Sequence, residues 1–263
     1  MQILVTNDDG VHAPGLLALV QELRKLGNVT ILAPDHNWSG SGHVKTLTRP
    51  LRVRSTQLAD GTSALCSDGA PSDCVALALM GVIEHPIDVV VSGINPNANI
   101  GHDVTYSGTV TAAMEAAIAG VPAVAVSLDS PIGFSGELDY TTAARVAHMV
   151  TEKRMRHDFP KDILLNVNVP YLAQHELKGF HISRQGLRIY RDALVRREDP
   201  QGKPYYWIGG EQPTGVLIDG TDFGDLQQGF VSITPIQLDL TAHAELSRLR
   251  SWGWSPDDLL KFV

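Results

Sequence analysis

The chain has 263 residues, a formal net charge of −8, 43% hydrophobic and 19% charged residues, and two cysteines. That length suits one large α/β domain with a sizeable buried interior, and the acidic balance without a long basic run excludes a duplex nucleic-acid surface built on many phosphate contacts. No window approaches the roughly 20 uninterrupted apolar residues of a membrane span, nothing ahead of the first strand directs export, and Cys66 and Cys74 form no C-x-x-C pair, so a soluble, cytoplasmic protein with reduced thiols is expected.

Residues 3–6 (ILVT) and 29–33 (VTILA) read as strands. Between them Leu16, Leu17, Leu19, Val20, Leu23 and Leu26 recur at helical spacing behind Pro14 and stop at Gly27, a βαβ signature. The pattern repeats: 72–83 reads as a helix with Ser72 near its cap, 88–92 (DVVVS) as a buried strand, 109–120 as a helix stopped by Gly120, and 122–127 (PAVAVS) as a strand. A helix with Val146, Ala147 and Val150 on its apolar face then precedes 163–170 (ILLNVNVP), which extends the sheet. Continuous apolar strands imply a mostly parallel sheet buried on both faces, hence a three-layer α/β/α, Rossmann-like arrangement. After about residue 175 the text changes: 186–199 and 203–211 look like two strands of an arm around the polar stretch Glu198 to Gly202, either a surface hairpin or a piece that packs on another subunit. FVSITP and a final amphipathic helix after Asp239 follow. The expected organisation is one domain over 1–263, with a core of about 1–175 and an arm and C-terminal extension over 176–263.

In an open parallel sheet, ligands lie outside the carboxyl ends of the strands. Three polar loops follow strands here: NDDG, APDHNWSGSGH and SGINPNANIGHDVTYSGT. Asp8 and Asp9 offer carboxylates, Ser39 a hydroxyl and Asn95 an amide oxygen, a hard set that suits Mg²⁺, Mn²⁺ or Ca²⁺ better than zinc. The ordinary alternative is that one aspartate caps a helix while the other is solvated. Ser107, Gly108 and Thr109 precede an apolar helical run, where backbone N–H groups and hydroxyls either surround an anion or simply cap the helix. A metal and an anion pocket in one crevice describe a site for a phosphate ester. The centres of these loops carry neither Lys nor Arg, so the metal and the helix terminus would have to neutralise the phosphoryl charge.

His36 and His43 flank Ser39 without metal-ligand spacing and read as loop residues; His102 reads as solvated or supporting, and Asp103 as a loop-bracing carboxylate. Trp38, beside Ser39, is either a stacking surface for a nucleobase or a packing residue. The aspartates are adjacent rather than Asp-x-Asp, which argues against a haloacid-dehalogenase-type phosphatase. A receiver domain would be near half this length, and neither the dinucleotide fingerprint nor the Walker loop is present.

Taken in order, ILVTNDDG, APDHNWSGSG, GAPSDCV, SGINPNANIGHDVTYSGTVTAAMEA, NVNVP and GFVSITP closely resemble the SurE family of survival-protein nucleotidases, over residues 1 to about 235. The resemblance implies a divalent-metal-dependent phosphomonoesterase that hydrolyses nucleoside monophosphates, a 5′-nucleotidase with possible 3′-nucleotidase and exopolyphosphatase activity. It implies one Mg²⁺ or Mn²⁺ per subunit on Asp8, Asp9, Ser39 and Asn95, with Asp8 and Asp9 also catalytic, and a phosphoryl pocket of Ser107, Gly108 and Thr109. It further implies a homodimer or homotetramer assembled through the C-terminal arm. This chain carries Asn97 and Thr111 where the family usually has glycine. The competing class is a non-catalytic nucleotide-binding module on the same fold.

Overall fold

The computed structural model describes residues 1–131, 133–256 and 258. Its main sheet starts at β1 (Gln2–Thr6), which pairs in parallel with β2 (Asn28–Pro34) on one side and β5 (Val89–Asn95) on the other. Beyond β5 the sheet continues in parallel through β6 (Ala123–Asp129) and β7 (Leu164–Pro170). The helices α1 (Pro14–Leu23), α2 (Pro71–Leu77), α3 (Gly108–Ile118) and α4 (Thr141–Arg156) cover it.

Side-chain alternation decides which helix meets which face. Ile3, Val5, Val89, Val91, Val124 and Val126 point to the cluster of α1 and α4, which supply Leu16, Leu19, Leu23, Ala143, Val146 and Ala147. Their neighbours Leu4, Val90, Ala123 and Ala125 point the other way, to Val75 of α2 and Val110, Ala112, Ala113, Ala116 and Ala117 of α3. Each strand therefore buries both faces, which is why it reads as an unbroken apolar run. At α1, a side chain on Gly15 would place its Cβ 2.2 Å from the Ile94 carbonyl oxygen, so glycine lets this helix lie against β5.

From β1 the chain runs through α1 to β2 on one side, and it returns through α2 to β5 on the other side of β1, so the sheet has its switch point between β1 and β5. Both strands end in the polar loops singled out in the sequence. Two strands towards one edge went unforeseen: the edge strand β3 (Val53–Gln57) pairs antiparallel with β4 (Ser63–Ser67), which lies parallel to β2. β3 carries partly exposed polar residues and lacks an apolar run to betray it.

The sheet also runs past the core limit expected near residue 175. β11 (Val231–Ile236) pairs antiparallel with β7, and β8 (Phe180–Ile182) pairs in parallel with β11, so the order is β3-β4-β2-β1-β5-β6-β7-β11-β8. The short α5 (Asp222–Gln227) leads into β11. The arm is a separate two-stranded antiparallel ribbon of β9 (Arg188–Glu198) and β10 (Pro204–Gly215). The helix expected after 72 is shorter than its sequence suggested, because α2 gives way at Ala78–Val82 to a wider turn in which Gly81 has φ +116°. Of the helix expected after Asp239, the described part is α6 (Leu246–Arg250); residues 257 and 259–263 lie outside the described residues. No helix among the described residues is long and apolar enough to cross a membrane.

Candidate active site

Asp8 follows β1 directly and is only 3% exposed. Its main chain holds the next loop in place: the Trp38 N–H donates to the Asp8 carbonyl at 2.8 Å, and the Val11 N–H donates to the Pro34 carbonyl at 2.8 Å. Inside the turn, Asn7 Nδ2 donates to the Gly10 carbonyl at 2.9 Å. The Asp8 carboxylate faces the start of α3, where the Thr109 hydroxyl donates to Oδ1 and the backbone of Gly108 and Thr109 also favours its charged form. Burial nevertheless outweighs these bonds and pushes the Asp8 carboxyl above its usual range.

Asp9 is pushed up to about 7, first by burial and then by the charge of Asp8. Asn37 Nδ2 donates to its Oδ1 at 3.4 Å. Among the described residues neither carboxylate has a Lys, Arg or His counter-ion. Two adjacent, largely buried carboxylates without a cation are an electrostatic deficit that a bound divalent ion would relieve, so these residues fit a metal.

Asn95 ends β5 and is buried; its Nδ2 donates to the Asn97 carbonyl at 2.5 Å. Among the described residues Oδ1 has no hydrogen-bond donor, and an amide oxygen in that position suits a hard cation. Ser39 is exposed, on a loop pinned at several points. Its own N–H donates to Asn37 Oδ1 at 2.7 Å, and the Gly42 N–H donates to the Tyr106 carbonyl at 3.0 Å. Farther along, Lys45 Nζ lies 2.9 Å from Glu115 Oε1 and His43 Nε2 lies 3.1 Å from Glu115 Oε2, both against α3. Thr111, one of the two departures from the family pattern, ties the same helix to the Ser39 loop by donating to the Gly42 carbonyl at 3.1 Å. Asn97, the other, serves through its backbone carbonyl.

Asp8, Ser39, Asn95 and Ser107 line one cleft of about 640 Å³. Ser107 both lines it and caps α3, its Oγ accepting from the Val110 N–H at 3.1 Å, so the two sequence readings of this serine coexist. Gly108 and Thr109 stand behind Asp8 instead of on the cleft wall. A Cβ at Gly108 would come within 2.6 Å of the Asp8 Cβ and 3.0 Å of its Oδ2, so the missing side chain makes room for the carboxylate.

The remaining polar loop residues support the site. His36 is exposed beside Asp35, and His102 is exposed with only its carbonyl engaged, by the Thr105 hydroxyl at 2.8 Å. Asp103 braces the arm: Arg188 Nε donates to Oδ2 at 2.8 Å and the Tyr190 hydroxyl donates to Oδ1. Trp38 packs at 5.1 Å on His36 and is not among the residues on the cleft wall. Groups of three or more His, Cys, Asp or Glu that could hold a metal do not occur among the described residues, which leaves the mixed oxygen set as the candidate.

Sequence reasoning missed two kinds of residue. Arg188, at the root of the arm, and Pro213, opposite on β10, line the cleft, so this wall does contain a cation. No local signal announces Arg188, which lies 85 positions from its partner Asp103. Asn166 and Asn168 of β7 are fully buried and grip the Asn95 loop. Asn168 Oδ1 accepts from the Asn99 N–H at 2.8 Å, while Asn166 Nδ2 and Asn168 Nδ2 donate to the Asn99 carbonyl at 2.8 and 3.0 Å. Asn99 Nδ2 completes the clamp on Ser127 Oγ at 2.8 Å. Two asparagines at period two inside a buried strand are the signal that would have found them.

A family model described as "Survival protein SurE" matches residues 3–192. A curated "5'-nucleotidase SurE" of Herpetosiphon aurantiacus is 51% identical over 255 residues, covering 97% of this chain and 99% of the relative. That of Geobacter sulfurreducens is 48% identical, covering 97% and 95%. The crystal structure of the SurE protein from Aquifex aeolicus superposes with a TM-score of 0.81 at 38% identity, covering 96% of this chain and 99% of that one.

Proposed function

Because the chain belongs to the survival protein SurE family, we infer that it is a 5′-nucleotidase, a hydrolase that converts nucleoside monophosphates to nucleoside and phosphate. The non-catalytic binding module is not favoured, since the relatives named as nucleotidases match nearly the whole chain. Activity on 3′-nucleotides and polyphosphate belongs to the same proposal.

Asp8, Asp9, Ser39 and Asn95 are the proposed metal ligands, one Mg²⁺ or Mn²⁺ per subunit. The observation that carries this is the carboxylate pair, which has no counter-ion among the described residues, with Asp8 and Asn95 lining one cleft. Two carboxylates, a hydroxyl and an amide oxygen would hold a hard divalent cation. A bound divalent ion would polarise the phosphoryl group and lower the pKa of water.

The chain's own residues do the rest. Thr109 fixes the rotamer of Asp8 by donating to Oδ1, which favours Asp8 as a ligand over Asp8 as a nucleophile. Water then attacks phosphorus, the P–O ester bond breaks, and the nucleoside oxygen leaves with a proton. For Ser107, Gly108 and Thr109 the proposed phosphoryl role is divided: Ser107 lines the cleft, while Gly108 and Thr109, off its wall, contribute only first-turn amides at the positive dipole end of α3. Arg188 also lines that cleft, with its charge paired to Asp103.

The arm is the proposed oligomer contact, giving a homodimer or homotetramer. The ribbon exposes Leu194, Trp207 and Ile208 at 70%, 62% and 86%, more apolar surface than an isolated hairpin carries without a partner. A cytoplasmic location is supported by Cys66 and Cys74, buried and unpaired. The deciding experiment measures phosphate release from AMP by chelator-stripped protein, alone and with Mg²⁺, Mn²⁺ or Zn²⁺. Restoration by Mg²⁺ or Mn²⁺ is expected; full activity without metal, or restoration by zinc alone, rules the oxygen site out.

A further inference from the structure

The cleft holds about 640 Å³, more than a phosphoryl group fills, and its lining is both polar and aromatic. Asp8, Asn95 and Ser107 are buried residues of its lining, whereas two aromatic residues of the same lining, Tyr106 and Phe134, are 62% and 44% exposed. Exposed aromatic rings beside a polar catalytic centre gain nothing from solvent and leave a flat π-surface free.

Both rings are held on fixed backbone. The Tyr106 N–H donates to the Asp103 carbonyl at 3.0 Å and its carbonyl accepts from Gly42 at 3.0 Å, so the ring is set one residue before Ser107. The Phe134 N–H donates to the Pro131 carbonyl at 3.1 Å. The Phe134 ring packs against Tyr171 with centroids 5.6 Å apart and planes at 58°, which braces one side of it. Trp38, the aromatic residue that the sequence put forward for stacking, is occupied with His36 away from the cleft wall.

We propose that Phe134 and Tyr106 form the nucleobase subsite, with the base of the leaving nucleoside lying against these rings while its phosphate reaches Asp8 and Ser107. This rests on the nucleotidase reading and adds how the enzyme tells a nucleotide from another phosphate ester. Stacking needs only a π-face, so all bases are accepted, and purines, with the larger face, are favoured.

The test compares Phe134→Ala and Tyr106→Ala with the parent on 5′-AMP, 5′-UMP and ribose 5-phosphate, which lacks a base. The quantity read is the ratio of kcat/KM on AMP to kcat/KM on ribose 5-phosphate. A stacked base is worth about tenfold by alanine substitution, so that ratio should fall about tenfold, mainly through KM on AMP, and less on UMP. Phe134→Trp should restore it, which a merely structural role would not. A ratio within twofold of the parent in both alanine variants, or a loss shared equally by the two substrates, overturns the subsite. A parent that releases no phosphate from AMP would instead overturn the nucleotidase reading, so the two failures are told apart.

Discussion

The Thr109 hydroxyl donates to Asp8 Oδ1 across 101 positions of sequence, joining the start of α3 to the end of β1. A carboxylate held this way presents its other oxygen in one direction, which is what a metal ligand requires. Thr109→Ala should weaken Mn²⁺ affinity about 10-fold to 100-fold, while Thr109→Ser keeps it near that of the parent. Calorimetric titration of stripped protein measures this; equal affinity of all three proteins would remove Thr109 from the site.

Asp8→Asn and Asp9→Asn should each abolish most turnover yet leave the fold intact. Removing either charge ends the repulsion that raises the Asp9 carboxyl, so thermal stability without metal should hold or rise. Near-parental turnover by both variants at saturating metal would refute the ligand assignment.

The Asp9 shift also fixes a sign for pH. Its folded value of about 7 lies above the unfolded 3.8, so between these values the native state keeps a proton that the unfolded chain has released. Stability from this group is therefore fully present below 3.8 and is lost as pH rises towards 7, by at most about 4 kcal/mol. Stripped parent protein should melt at a lower temperature at pH 7 than at pH 5, and Asp9→Asn should flatten that slope. Metal should oppose it, because binding strengthens as the carboxyls ionise. A melting temperature that climbs from pH 5 to 7 in both stripped proteins would contradict the assignment.

In Gly108→Val the added Cβ would meet the Asp8 Cβ at 2.6 Å before any phosphate. The variant should therefore lose metal affinity together with inhibition by product phosphate. Phosphate inhibition weakened at unchanged metal affinity would restore the simpler anion-cradle reading.

Removing the arm beyond its root, residues 191–211, should lower the particle mass seen by light scattering. Arg188 and Pro213 remain in this deletion because they line the cleft, so mass and cleft chemistry are separated. An intact protein already monomeric at micromolar concentration ends the oligomer proposal.

The sheet's central strands were legible because a strand buried on both faces must be apolar throughout: Val89–Val91 and Ala123–Val126 carry that requirement in plain text. That Asp8, Ser39 and Asn95 meet at one cleft was legible for a related reason, since polar residues at the ends of such strands have only the crevice to serve. The β3–β4 edge was not, because an edge strand with one wet face needs no distinctive composition.

By itself, then, the sequence determined the layered α/β core, the Asp8–Asp9 pair and the loops that reach it, each a property of residues near one another in the chain. Tertiary structure alone decided that Thr109 and Gly108 serve Asp8, that Asn166 and Asn168 clamp the Asn95 loop, and that Arg188, Tyr106 and Phe134 share one cleft. These contacts are set by strand order and register across as many as 101 positions, and local periodicity carries no record of which distant strand end will become a neighbour.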